Sequence, residues 1–353
     1  MQAPAPRVSV VCPAFNRSAA ITQTLNSVRA QSVRDWELIV ISDGSTDDTD
    51  THVRAAAAAD PRIRLTRTAH HGHPAEPRNI ALAQARGNVI AYLDHDDQWH
   101  PGHLAAVLTA IDSGATLVAT GFELRAADGT TTAVSQPYEM CWHPEFQILG
   151  AIFEPSRVAH RRGVAERVGG WRAGAGMEDW DLWLRLTDAG ERFTTVAHPT
   201  TVILDDASTR RHRIPALHHV PVAAFDDPAR ARSALRAVAD RRHAAALRAA
   251  HRKDCEAWLE RLAASGDFVE PLGARGDVLP ALVDAMADTA PHEADLVLTR
   301  RGRSFVLAKP VRCADAAHAE RIARLVRTVH SRLALLLREL ADSTAAAVSA
   351  GAR

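Results

Sequence analysis

The sequence predicts an α/β protein in two parts, and three observations support this. Short β-branched runs alternate with helical segments as far as about residue 215, and such alternation indicates a mostly parallel sheet flanked by helices. Beyond that point the composition shifts to Ala, Arg and Leu. At 353 residues the chain is long enough to bury a core in each part. We therefore expect a Rossmann-type α/β domain over residues 1–215 and a mainly helical accessory domain over residues 216–353.

The first three elements are a strand, a helix and a strand. The runs "RVSVVC" (residues 7–12) and "WELIVISDGS" (residues 36–45) are rich in β-branched residues and end in turn formers, as buried parallel strands do. Between them, "SAAITQTLNSVRAQ" carries apolar residues at helical spacing. Ser18 is placed to cap this helix.

The same order then repeats. "PRIRLTRT" is a predicted strand, "EPRNIALAQA" a helix ended by Gly87, and "NVIAYLD" a strand. Because ligands of such sheets bind beyond the carboxyl ends of the strands, Asp43 and the cluster at residues 94–97 are expected to face one crevice.

The C-terminal part is predicted to be helical apart from one hairpin. The segment at residues 294–310 resembles two short strands that turn at Arg301-Gly302. The last segment has apolar residues spaced by three and four from Ile322 to Leu340, which indicates an amphipathic helix.

The composition excludes several function classes. Lys plus Arg equals Asp plus Glu at 42 each, so net charge favours neither nucleic acid nor an anionic membrane as a partner. The cysteines fit neither a zinc site nor a disulfide framework, because Cys12, Cys141, Cys255 and Cys313 are scattered. No uninterrupted apolar stretch of about 18 residues occurs. We therefore expect a cytoplasmic protein with no transmembrane segment.

Three carboxylates follow the predicted strand "NVIAYLD": Asp94, Asp96 and Asp97. Carboxylates this close raise one another's pKa unless a cation or hydrogen-bond donors absorb the charge. A hard divalent cation, Mg²⁺ or Mn²⁺, prefers such oxygens and keeps positions for phosphate oxygens. An extended strand would put Asp94 and Asp96 on the same side. The alternative is a solvated acidic turn that caps a helix starting near Pro101.

Four motifs in order resemble the family 2 glycosyltransferases, which have the GT-A fold. "VSVVCPAFNR" resembles the opening strand of the family with its Pro-x-[Phe/Tyr]-Asn turn, and "IVISDGSTDDT" resembles its second signature. "EPRNIALAQARGNVIAYLDHDD" resembles the segment leading into the DxD motif, and "GGWRAGAGMEDWDLWLRL" resembles the late Glu-Asp motif. The resemblance covers roughly residues 7–210. It implies a GT-A-like fold and an inverting, nucleotide-sugar-dependent transferase of the hexosyltransferase type.

The resemblance also implies a donor site. In the family, the aspartate after the second strand binds the nucleobase, and that role falls on Asp43, which can accept from the imide N–H of uracil or thymine. A turn residue before Gly44 is the structural alternative. Arg78 lies where relatives have a basic residue near the nucleotide, or else it is solvated at a helix start. The remaining implied donor-site residues are Pro13 and Phe15 around the base, and Asn16 or Arg17 near the ribose or phosphate.

In the DxD segment, the resemblance implies that Asp96 binds the metal that bridges the diphosphate. Asp94 would contact the ribose or a metal-bound water, and Asp97 would support the site or cap a helix. His95 is assigned to the nucleotide-sugar site by its position between them. An extended strand would turn it to the opposite side, where packing is its favoured role.

The third metal ligand departs from the family pattern. Many relatives have a histidine in a Val-His-x-x-Ser segment, where this chain has "VILDDASTRRHR" with Asp205 at the corresponding place. Asp205 replaces that ligand, or His198 or His212 supplies it, or no third protein ligand exists. The basic segment at residues 210–213 either closes over the diphosphate or is a solvated loop.

Transfer with inversion requires a base opposite the leaving group. Carried over onto "MEDWDLW", this role falls on Asp179, while Glu178 orients the acceptor or the helix start. An acidic first turn that complements the helix dipole is the structural alternative. Trp180 and Trp183 are expected to pack the helix onto the sheet, and Trp171 either packs or stacks on a sugar.

Together the motifs imply an inverting glycosyltransferase that moves a single sugar from a UDP- or dTDP-sugar to a soluble acceptor, such as a glycan, natural product or peptide. The Gln-x-x-Arg-Trp motif of processive synthases does not occur. One rival is a sugar nucleotidyltransferase, which would show a Gly-rich loop with a lysine instead of "CPAFNR". The other is a non-catalytic scaffold, which would be expected to lack the carboxylates.

Two features lie outside these motifs. "AHHGHP", with His70, His71 and His73, fits no zinc template, so we expect a loop that makes contacts on the nucleotide side. The C-terminal helix is expected to pack on its helical neighbours. A homodimer through these helices is the next expectation, ahead of covering the acceptor crevice or lying on a membrane.

Overall fold

The structure, a computed structural model, describes residues 5–174, 176–205, 218–288, 296–313 and 315–351. The chain divides into two compact units. Unit 1 contains Met1–Arg213 and Val269–Gly276, and unit 2 contains Ile214–Phe268 and Asp277–Arg353. The predicted boundary at residue 215 would place Val269–Gly276 in the C-terminal domain, whereas this segment returns to unit 1.

Unit 1 is built on a nine-stranded sheet in the described part of the chain. Its strands are β1 (Val8–Ala14), β2 (Trp36–Ser42), β3 (Ile63–Arg67), β4 (Val89–Tyr92), β5 (Gln98–Trp99), β6 (Leu117–Ala126), β7 (Thr131–Val134), β8 (Val158–Arg161) and β9 (Phe193–Asp205). Its helices are α1 (Ser18–Arg29), α2 (Thr49–Ala59), α3 (Ala75–Gln84), α4 (His103–Asp112), α5 (Pro144–Leu149), α6 (Val164–Arg167) and α7 (Glu178–Asp188).

The sheet has the order β3-β2-β1-β4-β8-β6-β9-β5, with β7 paired to β6. The first four strands are parallel, as the alternation of strands and helices predicts. Strand β8 runs antiparallel to both β4 and β6, so the complete sheet is mixed. The predicted α/β class is confirmed, and the carboxyl ends of β1, β2 and β4 meet at one edge.

Both faces of the sheet are buried. Along β1, Val8, Val10 and Cys12 contribute to one hydrophobic core, whereas Val11 contributes to the other. Burial on both faces explains why this strand is an apolar run in the sequence and not an alternating pattern.

The predicted cap of α1 is wrong. Ser18 is the first helical residue, and its backbone N–H donates to Oδ2 of Asp47 at 3.0 Å. The other oxygen of Asp47 accepts from the backbone and the hydroxyl of Thr49. Burial opposes ionisation, but these hydrogen bonds hold the pKa of Asp47 at about 2. One carboxylate thus fixes the starts of α1 and α2 together.

The segment Val269–Gly276 completes unit 1. Val269 exchanges backbone hydrogen bonds with Trp142 at 2.8 and 3.0 Å. Leu272 donates to the carbonyl of Thr195 at 2.7 Å and accepts from Ala197 at 2.9 Å. The returning chain therefore adds a short bridge beside β9.

The helix α3 ends at Gln84, before the predicted Gly87, and Gly87 gives a test of the close packing between the α3–β4 loop and β1. A β-carbon at Gly87 would lie 2.6 Å from the backbone nitrogen of Ser9 and 2.7 Å from the carbonyl carbon of Val8. Because backbone atoms cannot move aside cheaply, we expect Gly87→Ala to lower the free energy of unfolding by about 1–3 kcal/mol, measured by urea denaturation. Gly102→Ala is the control, since nothing lies within 4 Å of its added carbon. Equal midpoints for the two variants would contradict the prediction.

Unit 2 combines helices with a three-stranded antiparallel sheet of order β10-β12-β11. Its elements are β10 (His218–Phe225), α8 (Pro228–Ala239), α9 (Ala244–Ala264), α10 (Leu279–Ala287), β11 (Val297–Arg301), β12 (Ser304–Val311), α11 (Ala316–Val329) and α12 (Ser331–Gly351). Gly302, with φ +58°, lies in the turn between β11 and β12. Strand β10 falls in a region that the sequence predicted to be helical. In the described residues, no helix is both long and apolar enough to cross a membrane.

Candidate active site

Most residues predicted for catalysis and binding lie in the loops that follow β1, β2 and β4 and at the start of α7, while Pro13 lies in β1, Arg78 in α3 and Asp205 at the end of β9. The loops after β1 and β2 are joined directly, because the backbone N–H of Asp43 donates to the carbonyl of Ala14 at 2.8 Å. The contacts described below connect the β4 loop to both the β1 loop and α7. The described residues of the prediction therefore converge at one edge of the sheet.

The carboxylate cluster lies in a turn and not in a strand. Strand β4 ends at Tyr92, and the backbone N–H of Asp97 donates to the carbonyl of Asp94 at 3.2 Å. The expectation that an extended strand would hold Asp94 and Asp96 on one side is therefore wrong. The turn directs the three carboxylates to three different partners, although Asp94 and Asp96 still raise the pKa of Asp97.

Asp94 is paired with a buried cation. Its Oδ1 accepts from Nη2 of Arg78 at 2.6 Å, and Nη1 of Arg78 lies 3.6 Å from Oε1 of Glu178. Only 2% of Arg78 is exposed, which rules out a solvated helix start. Burial lowers the pKa of Arg78, but Asp94 and Glu178 outweigh this and raise it above its usual value. The β4 turn and α7 thus share one guanidinium.

The indole of Trp171 lies beneath Arg78, with the guanidinium carbon 4.3 Å from the ring centroid. Trp171 is 2% exposed, so packing and a cation–π contact describe it. Trp180 and Trp183 are also buried, as predicted for side chains that pack α7 onto the sheet.

Asp96 faces the β1 loop. Its Oδ2 lies 3.3 Å from Nη2 of Arg17. Nε of Arg17 lies 3.2 Å from Nε2 of His95, and the backbone nitrogen of Phe15 lies 3.2 Å from Nδ1 of the same ring. Both neighbours are N–H donors, whereas a neutral imidazole accepts through one nitrogen only, so its protonated nitrogen faces one of the two donors. His95 therefore connects the β1 loop to the carboxylate turn, which corrects its favoured role in packing away from the site.

Asp97 is a buried structural carboxylate. Its Oδ2 accepts from the hydroxyl of Ser156 at 2.5 Å, and its Oδ1 accepts from the backbone N–H of Leu204 at 3.1 Å. Burial, then the carboxylates of Asp96 and Asp94, raise its pKa well above the usual value. The predicted capping role is wrong, since α4 begins at His103 with Gly102 as its N-cap. Asp97 instead ties the turn to the end of β9.

Asp43 is held by the loop between β3 and α3. Its Oδ1 accepts from the backbone nitrogen of His71 at 2.8 Å and from Nδ1 of the same residue at 2.6 Å, and its Oδ2 accepts from the backbone of Gly72 at 3.2 Å. Burial opposes ionisation, but these donors outweigh it and hold the pKa of Asp43 below its usual value. Asp43 is therefore a fixed carboxylate anion.

Pro13 and Asn16 support the β1 loop. Pro13 is buried within β1 opposite Ile41 of β2. Asn16 has φ +47°, a left-handed conformation that Asn tolerates better than most residues. Its Oδ1 accepts from the backbone N–H of Thr46 at 2.8 Å, and its own N–H donates to Ser45. The side chain of Asn16 thus connects two loops.

Asp179 lies at the start of α7, next to Glu178. Burial, together with the carboxylate of Glu178, raises the pKa of Asp179 to about 7, although the backbone N–H of Trp180 donates to its Oδ1 at 2.8 Å. Asp181 points elsewhere and pairs with Arg185 at 2.6 Å. Asp179 is therefore the α7 carboxylate with the properties of a general base near neutral pH.

The donor set fits a hard divalent cation, because carboxylate oxygens are the ligands such ions prefer. Asp94 accepts from Arg78 through Oδ1, and Asp96 approaches Arg17 through Oδ2, so the second oxygen of each carboxylate is the candidate ligand atom. Asp205 ends β9, one residue after the Leu204 contact with Asp97. His198 lies six residues before Leu204, about 20 Å away along an extended strand. It is therefore too distant to bind the same cation as Asp94 and Asp96. His212 lies outside the described residues.

In the described chain, no three His, Cys, Asp or Glu side chains converge in a ready-made metal cage. Sequence reasoning also missed two residues of the site, Ser156 and Asp47. Ser156 bridges the turn by donating to Asp97 and accepting from the backbone of Asp94 at 2.9 Å. Asp47 holds the starts of α1 and α2 together. A serine or an aspartate in a loop carries no local signal for such distant contacts.

The family model described as glycosyl transferase family 2 matches residues 9–166. Among curated proteins, TuaG of Bacillus subtilis, named for glycosyl transfer in teichuronic acid biosynthesis, is 36% identical over 126 residues, which cover 35% of this chain and 50% of TuaG. The Escherichia coli UDP-Glc:alpha-D-GlcNAc-diphosphoundecaprenol beta-1,3-glucosyltransferase WfgD is 37% identical over 92 residues, which cover 26% of this chain and 36% of WfgD. The matched part spans half or less of the length of both relatives.

Among solved structures, Staphylococcus aureus TarS 1–349 in complex with UDP-GlcNAc superposes with a TM-score of 0.51 at 18% identity. The superposition covers 64% of this chain and 65% of that chain. At this level of identity the likeness concerns the fold alone, and it agrees with the mixed sheet and flanking helices of unit 1.

Proposed function

We propose that this chain, whose residues 9–166 match the glycosyl transferase family 2 model, transfers a single sugar, with inversion, from a nucleoside-diphosphate sugar to an acceptor. The observation that carries the proposal is the convergence at one sheet edge of a fixed carboxylate anion, Asp43, a carboxylate turn, and a carboxylate with a pKa of about 7, Asp179. These are the groups required to bind a base, to hold a diphosphate through a cation and to activate an acceptor.

The proposed donor is a UDP- or dTDP-sugar. Asp43 accepts hydrogen bonds only, which suits the imide N–H of uracil or thymine. The relative WfgD is named for a UDP-Glc donor, which supports a uridine nucleotide. Phe15 stacks on His70 at the Asp43 end of the crevice, where the base would lie, and Arg17 lies next to Asp96, where the ribose and diphosphate would lie.

For the chemical step, Asp179 accepts the proton of the acceptor as its nucleophile attacks the anomeric carbon. Glu178 and Arg78 hold the start of α7 against the β4 turn, so the base and the donor site keep a fixed relation. This fixed relation reduces the reorganisation that the reaction requires.

Asp94 and Asp96, with Asp205 as the third candidate, would hold a divalent cation, Mn²⁺ or Mg²⁺. When bound, such a cation supplies Lewis-acid stabilisation of the leaving diphosphate. Arg17, next to Asp96, adds positive charge on the same side of the crevice.

Calorimetric titration of UDP, dTDP and GDP into the protein, each with Mn²⁺ and with a chelator, tests the proposal. We expect one uracil or thymine nucleotide to bind with a marked dependence on the cation. Absence of binding for every nucleotide under both conditions would overturn the nucleotide-sugar function. It would then favour a non-catalytic scaffold.

The pH profile provides a further prediction. Asp179 acts as a base only when ionised, and its pKa is raised to about 7. We therefore expect kcat for donor turnover to fall about tenfold per pH unit below that value and to level off above it. Initial rates between about pH 5 and pH 9 at saturating donor provide the measurement. A rate that is flat from about pH 5 upward would show that a carboxylate of ordinary pKa is the base.

A further inference from the structure

The segment "AHHGHP" follows β3, and no motif of the transferase assigns it a role. In the structure it lies on the Asp43 end of the crevice. Gly44, directly after Asp43, has φ +73°, and a β-carbon there would lie 2.9 Å from the backbone nitrogen of His70 and 3.0 Å from its β-carbon. The loop is therefore packed tightly onto the backbone that carries Asp43.

Two hydrogen bonds define the proton positions in this loop. Nδ1 of His71 lies 2.6 Å from Oδ1 of Asp43, and Nδ1 of His70 lies 2.9 Å from the backbone carbonyl of Asp43. An ionised carboxylate and a carbonyl only accept, so Nδ1 carries a proton in both rings. Both imidazoles are thus oriented as donors towards Asp43.

The two oxygens of Asp43 are used unequally. Oδ1 accepts two hydrogen bonds from His71, which occupy both of its lone pairs. Oδ2 accepts one hydrogen bond from the backbone of Gly72 at 3.2 Å. Nδ1 of His70 lies 3.1 Å away but is closer to the backbone carbonyl. The contacts of Oδ2 are longer than those of Oδ1, so Oδ2 is the oxygen of Asp43 that can accept a hydrogen bond from a ligand.

The ring of His70 extends an aromatic surface at the same place. It stacks on the ring of Phe15 with centroids 4.2 Å apart and an interplanar angle of 22°. Phe15 is 37% exposed, and 49% of the His70 side chain is exposed. An exposed, stacked pair of flat rings is a suitable surface for a nucleobase.

We propose that the loop His70–Gly72 selects the nucleobase of the donor, with His71 as a positioning residue for Asp43 and His70 as part of the stacking surface. The proposal rests on the proposed function and deepens it. Fixed by His71, Oδ2 of Asp43 accepts the imide N–H of uracil or thymine. Cytosine presents an unprotonated ring nitrogen at that position and is rejected. The stacking surface contributes to the affinity for any base, since every base has an aromatic face.

The test compares paired variants by titration with UDP and CDP in the presence of Mn²⁺. His71→Asn keeps a side-chain N–H near the position of Nδ1, whereas His71→Ala removes it. We expect His71→Ala to weaken UDP binding about tenfold or more and to leave CDP binding almost unchanged, so that selectivity falls. His71→Asn is expected to keep the selectivity of the wild type within about threefold. These expectations follow from the cost of losing a hydrogen bond to a charged group.

The stacking role has a different signature. His70→Ala is expected to weaken UDP and CDP by a similar factor of about five to tenfold, and His70→Phe is expected to restore both, as stacking on a base contributes to binding irrespective of its identity. His52→Ala is the control for the loss of a histidine, because His52 is exposed on α2. It should bind both nucleotides as the wild type does.

The outcomes separate the two levels of the proposal. If the wild type binds no nucleotide, the proposed function fails and this inference fails with it. If the wild type prefers UDP and His71→Ala keeps that preference, the inference is overturned while the function stands. Equal loss of UDP and CDP binding in both His71 variants would also overturn it, because the loop would then have only a structural role.

Discussion

We expect Asp179→Asn to lower kcat for donor turnover by about 10²- to 10⁴-fold, the range that a positioned general base contributes. The amide is nearly isosteric with the acid but cannot accept the proton of the acceptor. Donor binding should change little, because Asp43 and the β4 turn remain intact. The measurements are the steady-state rate of UDP release from the donor and the Kd for UDP by calorimetry.

Asp181→Asn is the matched control. Asp181 belongs to the same first turn of α7, but its Oδ2 is bound to Nε and Nη2 of Arg185 at 2.9 and 2.6 Å. The same substitution there should leave kcat within about twofold, as expected for a surface ion pair. If both variants lost activity to the same extent, the stability of the helix and not base catalysis would explain the loss.

The second large effect is expected for Asp96→Asn. We expect kcat/KM to fall by about 10³-fold, because Lewis-acid stabilisation of the leaving group is worth several kcal/mol. The Mn²⁺ concentration that gives half-maximal activity should rise in parallel. The shift in metal dependence is the essential measurement, because Asp96 also pairs with Arg17 at 3.3 Å, and loss of that pair alone would not change it.

Asp128→Asn provides the comparison for Asp96. Asp128 is an exposed turn residue whose Oδ1 accepts from the backbone of Thr130 at 2.9 Å. Its replacement should leave both kcat/KM and the metal dependence unchanged. An Asp96 variant whose metal dependence matched the wild type would contradict the proposed ligand role, whatever its activity.

The parallel part of the fold was predictable because its signals are local. Strands β1, β2 and β4 are apolar runs, β3 is a short alternation of apolar and polar residues, and the helices between them have their own period. Strand β8, "VAHR", has no such pattern, and its antiparallel place between β4 and β6 depends on partners far away in sequence. The same holds for β10, whose pairing with β12 spans most of unit 2.

For the candidate site, the sequence predicted residue types better than contacts. A run of acidic residues after a strand was sufficient to identify Asp94 and Asp96. It could not show that a turn separates them, or that Asp97 faces inward to Ser156. The sequence assigned Arg78 to the nucleotide side, but it could not show the contacts of Arg78 with Asp94 and Glu178. Such pairings depend on side-chain directions in loops, which do not follow a periodic pattern.

The return of Val269–Gly276 to unit 1 also determines the order in which the molecule can be completed. A ribosome makes the chain from its N-terminus, and domains tend to fold as they emerge. Here unit 1 cannot form its backbone bonds from Trp142 to Val269, or from Thr195 to Leu272, until the first stretch of unit 2 has been synthesised. Unit 1 therefore finishes folding late. A gene fragment cut at residue 215 would encode a protein that still lacks its last piece.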